Sequence, residues 1–433
     1  MAGTVLFTTF TCYTTGGLHS RQAHLAPLLA KHGWRAMFGL AWGHRFNDPA
    51  TFRRHYPELE TVTMDGRTGT RSGRLLAIER TINRVRADVV IPSDMIDAFE
   101  VIATRKESGN KGPRLVCGLT GLHPDYMAMI EAFAPVVDRA FGVSSLTAQA
   151  LAELCAVPGE RVEAIPTGVA PAVLPWSRRA DEPIRLGYLG RLVADKRPLD
   201  IAGLARSLTG LRVPHVIHVY GDGELKVPLA ASADATVQLH EPVSQETLYR
   251  DVYPRLDVAL IFSPSEGNPN ALMEAMANGV VPVCSDYAGR AEQRLIRHEE
   301  TGLVFPVGDL ATAARHVQRL ADDDALRARL AEQARREVAE HHSLAAMGIE
   351  FAQMLERTMS DAPRTGTVHA ARGTPRSRLE SLFGPRIAES IRRAAGYRYP
   401  HTDLEEWPST EVFRGEAEQR MASHLTQWLE SRP

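Results

Sequence analysis

Residues 265–283 read SEGNPNALMEAMANGVVPV. A polar turn, Gly267-Asn268-Pro269-Asn270, gives way to a short, almost uncharged stretch that ends at Gly279 and runs into a β-branched VVPV. This pattern predicts a loop, a short helix and a buried strand. Asn270 is placed to cap the helix by accepting from its free backbone N–H groups, and Gly279 suits the left-handed residue that ends one. Glu266 then lies in the loop and Glu274 in the first helical turn. Free N–H groups and the positive end of a helix dipole favour an anion at this place. Carboxylates beside a phosphate site cannot hold the phosphate. They can accept hydrogen bonds from paired hydroxyls, as on a sugar or a ribose. Taken alone, the pair is explained more simply, as a dipole partner and a solvated loop residue.

The stretch sits inside a repeating alternation. Strand VALIFS precedes it and VVPVCS closes it, and strand IRLGYLG, helix PLDIAGLARSL and strand HVIHVYG come before. The N-terminal half has the same character: strand TVLFTTF, loop TCYTTGG and helix LHSRQAHLAPLLAKHG, then strand-like RAMFGLA, ADVVIP, RLVCGL and RAFGVS. Strands that alternate with helices make open parallel sheets, so the fold class is α/β, with two Rossmann-like domains flanking a linker near residues 170–183. The expected domains are 1–172 and 184–340, with residues 341–358 a helix crossing back to the first. The loops TTGG, LGRL, GDGE and SEGNPN all follow strands, and two such domains facing each other would gather them in one cleft. Beyond residue 360, SDAPRTGTVHAARGTPRSR reads as a linker to a helical extension over 377–433. Its helices are expected near LESLFGPRIAESIRRAA and VFRGEAEQRMASHLTQWLE. In the latter, Phe413, Ala417, Met421, Leu425 and Trp428 share a face expected to pack on the N-terminal domain or on a second copy.

A chain of 433 residues is long enough for two domains, and 44% apolar with 24% charged residues is the composition of a soluble globular protein. A net charge of -2 gives no reason to expect nucleic acid. Cys12, Cys117, Cys155 and Cys284 are scattered without metal-ligand spacing, which fits a reducing cytoplasm. No apolar run is long enough to span a bilayer.

Arg191 follows a predicted strand and Lys196 comes five residues later, so two cations can neutralise a diphosphate there. The order GRLVADK, GDGE, HEPVSQETLYRDVYPRLDVALIFSPSEGNPNALMEAMANGVVPVCSD and TGLVFPVGD resembles the retaining GT-B glycosyltransferases of family 4. The TTGG loop and FGVSSLTAQALAELCAVPGERVEAIPTGV agree in order and spacing, so the resemblance spans residues 1–358. It implies that Glu266 contacts hydroxyls of a donor sugar and Glu274 the nucleotide ribose. It assigns Arg191 and Lys196 to the diphosphate, with Gly190, Val243, Gly267, Asn268, Pro269, Asn270 and Ala271 around the donor. Gly16 and Gly17 would let the N-terminal loop approach the reaction centre. The implied reaction is metal-independent transfer, with retained configuration, from a nucleoside-diphosphate sugar such as a UDP-sugar to a small-molecule, glycan or lipid-linked acceptor. No cofactor is implied.

The sequence departs from the family in two places. Many relatives carry a histidine after the strand matching RLVCGL; here Thr120 stands there and His123 follows three residues on. His123 can reach the acceptor side or be an ordinary loop histidine, and the sequence leaves both open. GLHS also replaces the more usual acidic pattern after the paired glycines. Asp322 and Asp324 have DxD spacing but sit between two helical stretches, where aspartates cap helix starts, so they are not read as metal ligands. TTGGLHS is not GxGxxG, which weighs against a dinucleotide oxidoreductase, and a glycosidase would need neither Arg191 nor Lys196. The rival is a catalytically silent GT-B-fold subunit that acts through protein contacts, with a homodimer through the extension also open. The Arg-rich segment 67–86 reads first as a domain helix with a solvated face and second as a peripheral membrane contact.

Overall fold

The computed structural model describes residues 2–9, 17–42, 49–93, 95–109, 112–170, 182–266, 268–368, 377–397 and 415–432. The chain forms two compact units, Met1–Ile165 with Met347–Pro433, and Pro166–Ala346. Most of the expected linker, residues 171–181, lies outside the described residues.

In the first unit the strands are β1 (Gly3–Thr9), β2 (Trp34–Trp42), β3 (Thr61–Asp65), β4 (Val89–Pro92), β5 (Arg114–Leu119), β6 (Arg139–Gly142) and β7 (Val162–Ala164). They pair in the order β3-β2-β1-β4-β5-β6-β7, all parallel. The second unit holds β8 (Ile184–Leu189), β9 (His215–Tyr220), β10 (Val237–His240), β11 (Val258–Ile261), β12 (Val281–Ser285) and β13 (Leu303–Phe305). Their order is β10-β9-β8-β11-β12-β13, again all parallel. Parallel neighbours need crossover connections, whose helices cover both sheet faces, so the inner strands are largely apolar. VVIP in β4 and VPVCS in β12 are buried at every position. In each sheet the order reverses once, between β1 and β4 and between β8 and β11. Loops leaving the carboxyl ends of two such strands turn to opposite sides and leave a crevice between them.

The hydrophobic pattern marks every interior strand and none of the four edges, β3, β7, β10 and β13. The reason is physical. Partly wet edges tolerate Thr61, Thr63 and Asp65 in β3, Glu163 in β7 and Gln238 in β10, which blur the apolar signal, whereas β13 is apolar and largely buried but only three residues long.

The C-terminal region folds onto the first unit. Residues 361–368, read from sequence as a linker, are pinned down: Arg364 N–H donates to Asp138 Oδ1 at 2.8 Å and Gly366 N–H to the Pro135 carbonyl at 3.1 Å. The expected single helix near 379–395 is two pieces, because Gly384 takes φ 72° inside Arg378–Ala394 and Pro385 follows with no N–H to give. Glu389 on the second piece is wholly buried and accepts from Thr68 and from Thr70 Oγ1, the latter at 2.9 Å. The helix Glu416–Glu430 buries Met421 and Leu425 in the same core as Met127, Ile130 and Leu151. Trp428 Nε1 donates to Glu153 at 2.7 Å, and Phe413 lies outside the described residues.

Of the arginines in 67–86, Arg67 pairs with Asp65, Arg71 with Glu100 and the buried Arg74 with Asp97 at 2.7 Å, while Arg80, Arg84 and Arg86 are exposed. Asp323, between the two DxD aspartates, caps the helix Asp324–His341 through Leu326 N–H, and Asp324 pairs with Arg327.

Because Met421 is 1% exposed while Arg420 pairs with Glu131 at the surface, the two neighbours should differ in effect. Met421→Ala should destabilise the first unit by about 2–5 kcal/mol in chemical denaturation. Arg420→Ala should cost no more than about 1 kcal/mol. Equal losses would show that the terminal helix is not held by its apolar face.

Candidate functional site

In the second unit the register Leu186↔Val258 and Gly187↔Ala259 sets β8 against β11 at the sheet reversal. The loop after β8 carries Gly190, Arg191 and Lys196, and the loop after β11 carries Glu266. The register therefore brings side by side two loops that are 70 residues apart in sequence. Lys196 Nζ donates to Glu266 Oε1 at 2.9 Å, and Ser263 Oγ donates to the same oxygen. Gln293 Nε2 fixes the Glu266 carbonyl at 2.9 Å, and Ser285 Oγ fixes that of Ser263 at 2.6 Å. Among the described residues Glu266 Oε2 accepts no bond, and Lys196 Nζ donates only to Glu266. The pair thus keeps one acceptor and two donors to offer a ligand. The Arg191 side chain is 67% exposed, 3.6 Å from Asp195, while its carbonyl accepts from Tyr188 Oη at 3.1 Å.

The loop after β9 supports the one after β8. Gly190 N–H donates to the Tyr220 carbonyl, Leu192 N–H to that of Asp222 and Leu225 N–H to that of Leu192. A Cβ on Gly221 would stand 2.0 Å from the Gly190 carbonyl oxygen, so this close approach requires glycine. GDGE is thus a brace for the loop that bears Arg191 and Lys196.

The helix after Glu266 runs Asn270–Ala277 and corrects two expectations. Pro269 occupies the cap position and Asn270 is the first helical residue, so Asn270 does not cap through its side chain; its Oδ1 is buried without a partner among the described residues. Glu274 consequently falls in the second turn, not the first. Asn270 N–H is spent on the Asn268 carbonyl, Leu272 and Met273 N–H on that of Pro269, and Pro269 has no amide hydrogen. Among the described residues no acceptor stands for Ala271 N–H, and Asn268 Nδ2 is buried without a partner. These atoms belong to the residues that open the helix, and buried polar atoms are normally satisfied. Gly279, with φ 76°, follows the helix end as expected.

Both oxygens of Glu274 are engaged, Oε2 by Tyr253 Oη at 2.7 Å and Oε1 by Gln245 Nε2 at 2.8 Å. Burial pushes its carboxyl above the usual range, and these two hydrogen bonds pull it partly back. Burial and the neighbouring Glu274 in turn raise the Tyr253 hydroxyl well above its ordinary value. Val243 is 37% exposed in the loop after β10, two residues before Gln245. Ser263, Gln245, Tyr253 and Gln293 are the supports that motif reading does not reach; Tyr253 and Gln245 lie inside the quoted motif run, yet nothing in their spacing points at Glu274.

His123 and Thr120 lie in the first unit, where both line a cavity of about 340 Å³. His123 caps the helix Pro124–Phe133 through its carbonyl, which accepts from Met127 N–H at 2.9 Å. Gly17 opens the helix Gly17–Lys31; Gly16 and Gly267 lie outside the described residues.

Residues 175–337 match the family model of glycosyl transferases group 1. Over 205 residues the chain is 30% identical to an exopolysaccharide phosphotransferase of Streptomyces coelicolor, a match covering 45% of this chain and 20% of the relative. Over 186 residues it is 28% identical to the amylovoran biosynthesis glycosyltransferase AmsK of Erwinia amylovora, covering 39% of this chain and 44% of the relative. The chain thus spans less than half the length of either relative. The solved structure of HepE from Anabaena in complex with UDP-glucose superposes with a TM-score of 0.64 at 17% identity, covering 82% of this chain and 100% of the other. The fold of this chain is that of the GT-B glycosyltransferases.

Proposed function

We propose that this chain is a retaining glycosyltransferase that moves a sugar from a UDP-linked donor to an acceptor hydroxyl without a divalent metal. The observation that carries the reading is the Lys196–Glu266 pair at the carboxyl ends of β8 and β11, followed in the chain by Asn268 Nδ2 and Asn270 Oδ1, both buried without a partner among the described residues. The match of residues 175–337 to glycosyl transferases group 1 and the UDP-glucose bound to a structural neighbour support it.

In this reading Lys196, Arg191 and Ala271 N–H meet the diphosphate. Glu266 accepts from a hydroxyl of the sugar, and Glu274, held by Tyr253 and Gln245, accepts from the ribose. Val243 offers an apolar surface to the base. The bond between the anomeric carbon and the phosphate oxygen breaks, and its electron pair leaves with the diphosphate. The acceptor oxygen bonds to the anomeric carbon from the face the diphosphate leaves, and its proton passes to a phosphate oxygen. Configuration is retained, and the preorganised cations and helix amide stabilise the charge that develops on the leaving group. Cations already in place take the role a metal ion plays elsewhere.

Calorimetry with UDP, and turnover of UDP-glucose and other UDP-sugars measured as released UDP, should give the same values in excess EDTA as with magnesium. Loss of binding on chelation, restored by magnesium or manganese, would contradict the metal-independent reading. Absence of turnover with every nucleotide-sugar, alongside stable capture of a protein partner, would favour a silent subunit.

Glu266→Ala should lower kcat by about 10²–10³ while reducing UDP affinity by less than about tenfold, because its partner is the sugar. Glu274→Ala should weaken UDP binding and transfer together. Calorimetry in which Glu266→Ala abolishes UDP binding would overturn the division of roles.

A further inference from the structure

The cavity in the first unit is lined by Arg21, Gln22, Ser93, Thr120, His123 and Asp125 over an apolar floor that includes Phe141 and Phe351. Its volume of about 340 Å³ suits one small molecule of sugar size. Arg21 is 4% exposed and pairs with no carboxylate among the described residues. One of its nitrogens donates to the Ile165 carbonyl at 3.2 Å, its Cζ lies over the rings of Phe141 and Phe351, 4.8 and 5.6 Å from their centroids, and Nε has no partner among the described residues. Burial pulls its guanidinium down to about 10, so it stays charged at neutral pH.

A buried charge is normally matched by an opposite one, because taking a lone cation out of water is costly. The ring faces and one carbonyl satisfy Arg21 only in part. Gln22, 5% exposed, donates Nε2 to Ser93 Oγ at 2.9 Å and leaves Oε1 buried without a partner among the described residues. Either assignment of the amide leaves one of its atoms unmatched, and the assigned one wants a hydroxyl donor. Asp125 also faces the cavity, with Oδ1 taken by Tyr126 N–H at 2.8 Å. The lining therefore offers a buried cation to an anion and, at Gln22, an acceptor to a hydroxyl.

We propose that this cavity binds a small polyhydroxylated molecule bearing one carboxylate or phosphate, the anion on Arg21 and a hydroxyl on Gln22, and that this molecule is, or is part of, the acceptor. The acceptor role rests on the proposed sugar transfer; the binding of the acidic molecule does not.

The test uses the full chain in calorimetry with glucuronate, glucose 6-phosphate and glucose as probes, and with UDP as a separate ligand. At least one charged probe should bind at least tenfold more tightly than glucose, and which one it is tells carboxylate from phosphate. Arg21→Met should lose that binding tenfold or more. Gln22→Glu, nearly isosteric, should do the same by placing a carboxylate of the protein in the cavity, so the test survives if Arg21→Met folds poorly. UDP affinity should be unchanged in both variants. The proposal is overturned if no charged probe binds better than glucose, or if Gln22→Glu leaves that binding intact. UDP failing to bind while an acidic probe binds would defeat the nucleotide-sugar reading and leave this one standing.

Discussion

The adjacency of β8 and β11 across the reversal of strand order is the constraint from which the candidate site follows. Every strand in the sheet is parallel, so each connection must cross a face, and the loops of use to a ligand emerge at one edge, the carboxyl one. At the reversal of strand order the crossovers that follow the two strands turn to opposite faces of the sheet. There the loop with Lys196 meets the loop with Glu266, and an ion pair forms across 70 residues of sequence. The brace from GDGE, which needs glycine at 221, and the hydroxyls of Ser263 and Ser285 hold the two loops where the strands deliver them.

That ion pair does more than link loops. Lys196 and Glu266 are 22% and 11% exposed in their side chains, so the pair is partly desolvated and is held by protein dipoles rather than by water. Each partner retains bonding capacity in the direction the other does not use. A diphosphate sugar presents the complementary set, an anion joined through one bond to a ring of hydroxyls. Arg191 is the contrast: exposed and loosely held near Asp195, it can swing toward a ligand but fixes nothing in the free protein.

Much of this was legible in the sequence, and the failures follow a rule. Interior strands announce themselves because burial on both faces admits little but apolar residues; β3, β7 and β10 do not, because an edge keeps some contact with water, and β13 does not because three residues are too few to make a pattern. Glu266, Lys196 and Glu274 stand out because each follows a strand at a recognisable spacing. Their supports do not: Tyr253 and Gln245 reach Glu274 through a fold of the chain that spacing cannot express. Asn270 misleads because a good capping residue follows a proline able to occupy the cap position itself. The break at Gly384 was written in plain sight as Gly-Pro within an otherwise periodic helix. Arg21 was invisible because an arginine on a first helix ordinarily faces water, and only the packing of Phe141 and Phe351 shows that it does not.

The central claim is that Lys196 and Glu266 act as one unit on a nucleotide-sugar. A double-mutant cycle, Lys196→Ala, Glu266→Ala and both together, read as kcat/KM for UDP release from the donor, measures this directly. Strong coupling is expected: the double variant should be little slower than the worse single one, with a coupling energy of about 1–3 kcal/mol. Independent effects that add within about 0.3–0.5 kcal/mol would show that the two residues touch without working together, against the proposed joint role.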